Sequence, residues 1–192
     1  MDFKAARRAM VDSQLRPQAV TDPLVIAAMA TVPREQFLPE EGRALAYVDR
    51  VVALGDGRFL SPPATLGRLL TELEPRPAER ALVIGTAPAY AAAVLREMGL
   101  QVTECGEGDL TLGRPDEAPY DLILIDGAVE QIPDRIVRQL RHDGRLGTCL
   151  IDEGVQRLVI GRKAAGSFGV KSFADAAAPP VRGFERPRAF TF

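Results

Sequence analysis

Residues 81–90 read Ala81-Leu82-Val83-Ile84-Gly85-Thr86-Ala87-Pro88-Ala89-Tyr90, and this stretch decides the fold. Four consecutive apolar residues are what a strand covered on both faces requires. The glycine and proline that follow turn the chain. An Ala/Leu/Val-rich segment from about Tyr90 to Met98 then reads as a helix, closed by Gly99. Gln101-Val102-Thr103-Glu104 is a second short strand, so residues 81–104 form one βαβ unit. In such units the first turn and the following helix start are where nucleotides bind.

Downstream, Tyr120-Asp121-Leu122-Ile123-Leu124-Ile125 is another buried strand, ending at Asp126-Gly127. A helix over residues 133–141 is expected next. Residues 145–151 and 155–162 read as a strand pair turned at Asp152-Glu153-Gly154, residues 174–180 as a loop, and residues 188–192 as a final strand. Upstream, Phe3, Ala6, Met10 and Leu15 share a helix face. Thr21-Asp22-Pro23 opens a second helix, with an oxygen-bearing cap followed by a proline whose missing N–H costs nothing there. Residues 37–60 look irregular, with a turn at Gly55-Asp56-Gly57. Ser61-Pro62-Pro63 starts a third helix carrying Leu66, Leu69, Leu70 and Leu73. The sum is one α/β domain over residues 1–192. A helical extension, residues 1–75, packs on a sheet core, residues 76–192, that is mostly parallel, has helices on both faces and ends in antiparallel strands.

Composition narrows the function classes. The 192 residues are 46% hydrophobic and 26% charged with net charge −2, so no overall field draws the chain to nucleic acid or anionic lipid. The N-terminus lacks the apolar core of a signal peptide, and no apolar run approaches the ~18 residues of a membrane span, which makes the cytoplasm the expected location. Cys105 and Cys149 read as buried free thiols. His142 is the only histidine and reads as an exposed turn residue, so a zinc site is not expected. Without a Gly-x-Ser-x-Gly elbow, a serine hydrolase is not expected either.

Several scattered segments share one likeness: residues 10–16 (Met-Val-Asp-Ser-Gln-Leu-Arg), Val20-Thr21-Asp22-Pro23, Val32-Pro33-Arg34-Glu35-Gln36-Phe37, Ala46-Tyr47, Ser61-x-Pro63, residues 82–90, Gly108-Asp109, Ile132-Pro133 and Gly144-Arg145-Leu146. Together they resemble the protein-L-isoaspartate O-methyltransferases, across nearly the whole chain. The resemblance implies a Rossmann-like class I methyltransferase fold, S-adenosylmethionine as cofactor, no metal, and a protein substrate whose abnormal carboxylate is methylated. It also implies roles. Ser61 matches the serine placed near the transferred methyl, where its hydroxyl orients the incoming carboxylate; the alternative is that Ser61 merely caps the helix after it. Gly85, Thr86 and Ala87 occupy the cofactor turn. Glu104, 19 residues after Gly85, stands where an acid accepts from a ribose diol, and Asp109 where the family's Gly-Asp meets the adenine edge.

The chain departs from the family pattern in one region. Active relatives carry an acid in the first strand, then a turn reading roughly Gly-Thr-Gly-Ser-Gly; here these are Val83 and Gly85-Thr86-Ala87-Pro88-Ala89. Each alanine adds a Cβ where a ligand approaches backbone, and Pro88 removes an N–H. At on the order of 1–3 kcal/mol each, two or three such changes weaken binding by about 10²–10⁴-fold. Arg58 and Phe59 replace small polar residues beside Ser61. Only 15 residues separate Glu104 from Tyr120, too few for a helical crossover and another strand, so one edge strand and its helix are expected to be missing. Carboxyl methylation needs positioning more than acid–base groups, so residual activity through Ser61, Gly85, Glu104 and Asp109 stays open. The departures favour a non-catalytic binding or assembly protein, with a different small ligand in the altered cleft as a third course. A protein partner, or a homodimer through the shortened sheet's edge, fits either.

Overall fold

The structure is a computed structural model in which residues 1–187 are described. Helix α1 (Phe3–Met10) is capped by Asp2 and runs on through a π-turn, Val11–Leu15, that buries Val11 and Leu15. Helix α2 (Pro23–Thr31) starts where Asp22 accepts from the amides of Leu24 and Val25, the cap the sequence led one to expect. Two 3₁₀ turns follow, Arg34–Phe37 and Glu40–Leu45.

Strands β1 (Val52–Gly55) and β2 (Arg58–Leu60) then form an isolated hairpin around Gly55-Asp56-Gly57. Sequence reasoning found this turn but read its flanks as irregular. Strands of four and three residues are too short to show a period of two. Helix α3 (Pro63–Leu73) buries Leu66, Leu69, Leu70 and Leu73 as expected.

The main sheet contains β3 (Arg80–Ile84), β4 (Gln101–Cys105), β5 (Tyr120–Val129), β6 (Leu140–Asp152), β7 (Val155–Ala164) and β8 (Ser167–Asp175). Helix α4 (Ala89–Glu97) joins β3 to β4, and α5 (Asp134–Val137) joins β5 to β6. The strand order is β4-β3-β5-β6-β7-β8. The first four strands in that order are parallel, and β7 and β8 are antiparallel. This is the mostly parallel α/β sheet with an antiparallel C-terminal end that the sequence indicated. β4 forms one edge, and only two 3₁₀ turns, Leu110–Leu112 and Pro115–Glu117, occupy the segment before β5.

Two expectations need correction, and one strand was not anticipated. The helix expected over residues 133–141 lasts only from Asp134 to Val137, because Leu140 is already paired with Tyr120 in the sheet. β5 runs past Asp126-Gly127 to Val129 through a register shift between Leu124 and Ala128. A Cβ at Gly127 would lie 2.4 Å from Val181 Cγ2, so the chain passes the C-terminal segment there only as glycine. β8 was not anticipated because most of its residues are exposed and its apolar residues, Phe168, Val170, Phe173 and Ala174, keep no period of two. The strand expected over residues 188–192 lies outside the described residues.

The sheet's two faces are covered unequally. Val83, Leu122, Leu124, Cys149 and Leu158 pack with residues of α1 to α4 in one apolar cluster. Leu82, Ile84, Ile123, Ile125 and Leu146 pack in a second cluster with Leu110, Ile136, Val181 and Phe184. On that second face, where helices were expected, coil and the single turn of α5 do the covering. Apolar burial drives both layers.

Candidate functional site

A cleft of about 680 Å³ opens at the C-terminal ends of β3 and β4, where open α/β sheets receive ligands. Its volume lies within the range of small-molecule sites. Phe37, Leu38 and Leu54 line it, as do residues 86–90 of the β3–α4 turn, Arg58 on the hairpin, and Glu104, Glu107 and Arg114 on the β4 side.

The turn is locally unstrained. Pro88 sits at φ −69°, ψ −16°, a helical value that starts α4, and no residue from Gly85 to Ala89 has positive φ. Gly85 is required for a packing reason: its N–H donates to Cys105 O at 3.1 Å, and a Cβ there would come within 3.0 Å of Asp126 O. Pro88 presses on the next loop, since a Cβ at Gly106 would stand 2.9 Å from Pro88 Cδ. Thr86 and Ala87 line the cleft. Thr86 Oγ1 accepts from the Phe59 amide at 3.2 Å, which ties the β1–β2 hairpin to the turn and brings Arg58 beside it.

The remaining candidates divide. Glu104 lines the cleft, but its carboxylate takes a 2.7 Å hydrogen bond from Arg96 Nη1. Asp109 is not among the cleft-lining residues. It caps the Leu110–Leu112 turn, accepting from the amide and hydroxyl of Thr111, and these bonds hold its carboxyl below the usual carboxylate range. Val83, at the position where the resemblance implies an acid, is fully buried and offers no polar group. Ser61 is buried as well. It does not cap α3: Pro62 holds that position, and the Ser61 hydroxyl instead donates to Asp126 Oδ1 at 2.5 Å.

That bond belongs to a buried polar cluster that sequence reasoning missed. Arg34 is only 1% exposed. It donates from Nε to Ala46 O and from Nη2 to Ser61 O, both at 2.7 Å, and its guanidinium stacks 4.6 Å from the centre of the Tyr90 ring. Burial raises the Asp126 carboxyl above its usual range, against the opposing pull of Ser61 and Arg34. Burial also raises the Tyr90 phenol, whose buried hydroxyl has no hydrogen-bond partner. An arginine after a proline and an aspartate after an apolar strand carry no sequence signal of this meeting. Four separate segments deliver Arg34, Ser61, Tyr90 and Asp126.

Cys105 and Cys149 are buried and free, and burial pushes the Cys149 thiol up to about 11. His142 is exposed, though it lies on β6 rather than in a turn. Among the described residues no cluster of His, Cys, Asp and Glu is arranged to hold a metal, and no helix is long and apolar enough to cross a membrane.

A mostly parallel sheet with a ligand-sized cleft at its strand ends, preceded by N-terminal helices, is the architecture of the Rossmann-like methyltransferases. The comparisons with known proteins name the branch. A family model for Protein-L-isoaspartate(D-aspartate) O-methyltransferase matches residues 5–106 and 97–181, and the chain belongs to this family. It is 34% identical to Protein-L-isoaspartate O-methyltransferase 1 of Rhodopseudomonas palustris, over 95% of this chain and 85% of that one. It is also 34% identical to Protein-L-isoaspartate O-methyltransferase 2 of Marinobacter nauticus, over 96% of both chains. Two solved structures share the fold. One protein-L-isoaspartate O-methyltransferase superposes with TM-score 0.77 at 21% identity, covering 92% of this chain and 66% of that chain. The other, from Plasmodium falciparum and in complex with S-adenosyl-L-homocysteine, gives 0.76 at 14% identity, covering 92% of this chain and 98% of that chain.

Proposed function

We propose that this chain is a family member that holds S-adenosylmethionine weakly or not at all and serves as a non-catalytic binding or assembly protein for other protein chains. The observation that carries the reading is the β3–α4 turn. Pro88 fills the place of an N–H donor and packs on Gly106, while Val83 puts a buried isopropyl group where an acid would meet the ligand's ammonium. Three further features support it. The Gly85 N–H is already committed to Cys105 O, the Glu104 carboxylate is already engaged by Arg96, and Asp109 is turned to its own loop. The polar groups present do not fit a cationic sulfonium amino acid, and no transfer step is derived through one.

Titration calorimetry with S-adenosylmethionine and with S-adenosyl-L-homocysteine tests this. Dissociation constants in the low micromolar range would end the reading, and absence of heat at millimolar ligand would support it.

One observation favours a second reading, an active S-adenosylmethionine-dependent carboxyl methyltransferase acting on isoaspartyl residues of damaged proteins. Ser61 is held by a buried acid and a buried arginine, a costly arrangement for a site with no remaining task. Methyl transfer to an isoaspartyl peptide that disappears in Ser61→Ala would establish it. Self-association through the β4 edge is part of the binding reading, and sedimentation showing only monomer at high concentration would remove it.

A further inference from the structure

The charges around the cleft suit a ligand of the opposite sign to a sulfonium. Arg58 and Arg114 both line it, and among the described residues neither has a carboxylate within salt-bridge distance. Of the two acids in the lining, Glu104 is neutralised by Arg96, which leaves Glu107 against two free guanidinium groups. Arg58 is not there by accident of a loose loop, because the Phe59–Thr86 hydrogen bond fixes the hairpin to the β3–α4 turn. The same turn starts α4, a nine-residue helix whose positive N-terminal end faces the cleft. Tyr90, in its first turn, also lines the cleft, its ring held against the Arg34 guanidinium. Phe37, Leu38 and Leu54 add apolar lining to the same cleft, with the Phe37 ring packed edge-on against Tyr90 at 5.4 Å, a surface suited to a flat ring.

We infer that this cleft binds a nucleoside phosphate, the base against Phe37 and Leu38 and the phosphates between Arg58 and Arg114. Guanidinium groups grip phosphate oxygens in pairs, and the bonds are charge-assisted. A nucleoside phosphate needs no acid at position 83 and gains from the arginines that a sulfonium would face as like charges. The inference rests on the reading that S-adenosylmethionine is not the resident ligand, and it names what takes the cleft instead.

The experiment is calorimetry on the full chain with ADP, adenosine, inorganic phosphate and S-adenosyl-L-homocysteine in parallel, repeated at two salt concentrations. ADP is expected to bind tightest, more weakly at higher salt, and about tenfold or more less tightly in Arg58→Ser and in Arg114→Ser. Adenosine affinity should stay unchanged in both variants, with thermal melting showing that each is folded. Equal affinity for ADP and adenosine would overturn the inference, as would ADP binding indifferent to both arginines, or phosphate binding as well as ADP. Absence of heat with all four compounds would sink the nucleotide reading while leaving the pseudoenzyme reading in place. S-adenosyl-L-homocysteine binding tighter than ADP would overturn the nucleotide reading, and in the low micromolar range it would sink both.

Discussion

Replacing Arg34 by methionine isolates the cost of the buried polar cluster. The substitution keeps much of the side-chain volume but removes the donors to Ala46 O and Ser61 O, each at 2.7 Å. Two buried carbonyls then lose charge-assisted bonds, worth about 1.5–3 kcal/mol each. Asp126 also loses the nearby cation that favours its ionised form. Against this, the guanidinium no longer needs to be desolvated, which returns part of the loss. The two lost bonds, less the desolvation returned, put the expected destabilisation in urea unfolding at about 3 kcal/mol. For a chain of this size it corresponds to a fall in Tm of about 10 °C. Adding Asp126→Asn should recover at least ~1 kcal/mol, because the second change removes the stranded acid and the two sites are coupled. A single-mutant loss below ~1 kcal/mol, or strict additivity in the pair, would show that Arg34 and Asp126 do not depend on each other.

Gly106→Ala places a Cβ 2.9 Å from Pro88 Cδ and should destabilise by about 1–3 kcal/mol, with Pro88→Ala restoring most of the loss in a double-mutant cycle. Ala87→Gly with Ala89→Gly should tighten S-adenosylmethionine measurably in calorimetry if the two added methyl groups crowd it, and an unchanged affinity would shift the cause to Pro88, Val83 and the missing segment. Asp126 has a folded pKa above its ordinary 3.8, so the native state holds the proton more tightly than the unfolded chain. Stability from this group is therefore fully present below 3.8 and lost as pH rises through the folded value. Asp126→Asn should remove that fall, read as a shrinking advantage of the native residue in unfolding curves at increasing pH. Asp22→Ala removes the acceptor for two α2 amides and should cost about 1 kcal/mol, with little effect on any ligand.

Much of this molecule is written in local pattern. Ala81 to Ile84 could only be a buried strand, Asp22-Pro23 a helix start, and Gly99 a helix end, since each depends on neighbours along the chain. Arg34, Ser61, Asp126 and Tyr90 show the other case. They are 27, 65 and 29 residues apart in the pairs Arg34–Ser61, Ser61–Asp126 and Ser61–Tyr90, and no periodicity connects them. Asp109 likewise sits in its family motif, yet the loop it caps turns its carboxylate to Thr111.

By itself the sequence determined the parallel core and the family, because these rest on short-range apolar patterning and on residue types at named positions. Only the tertiary structure decided where the charges go: that Arg58 is tied to the turn, that Arg96 takes up Glu104, and that Ser61 meets Asp126 rather than capping α3. Such pairings depend on which strand ends the sheet brings together. Hydrogen bonds a few ångströms long between distant segments leave no period along the chain.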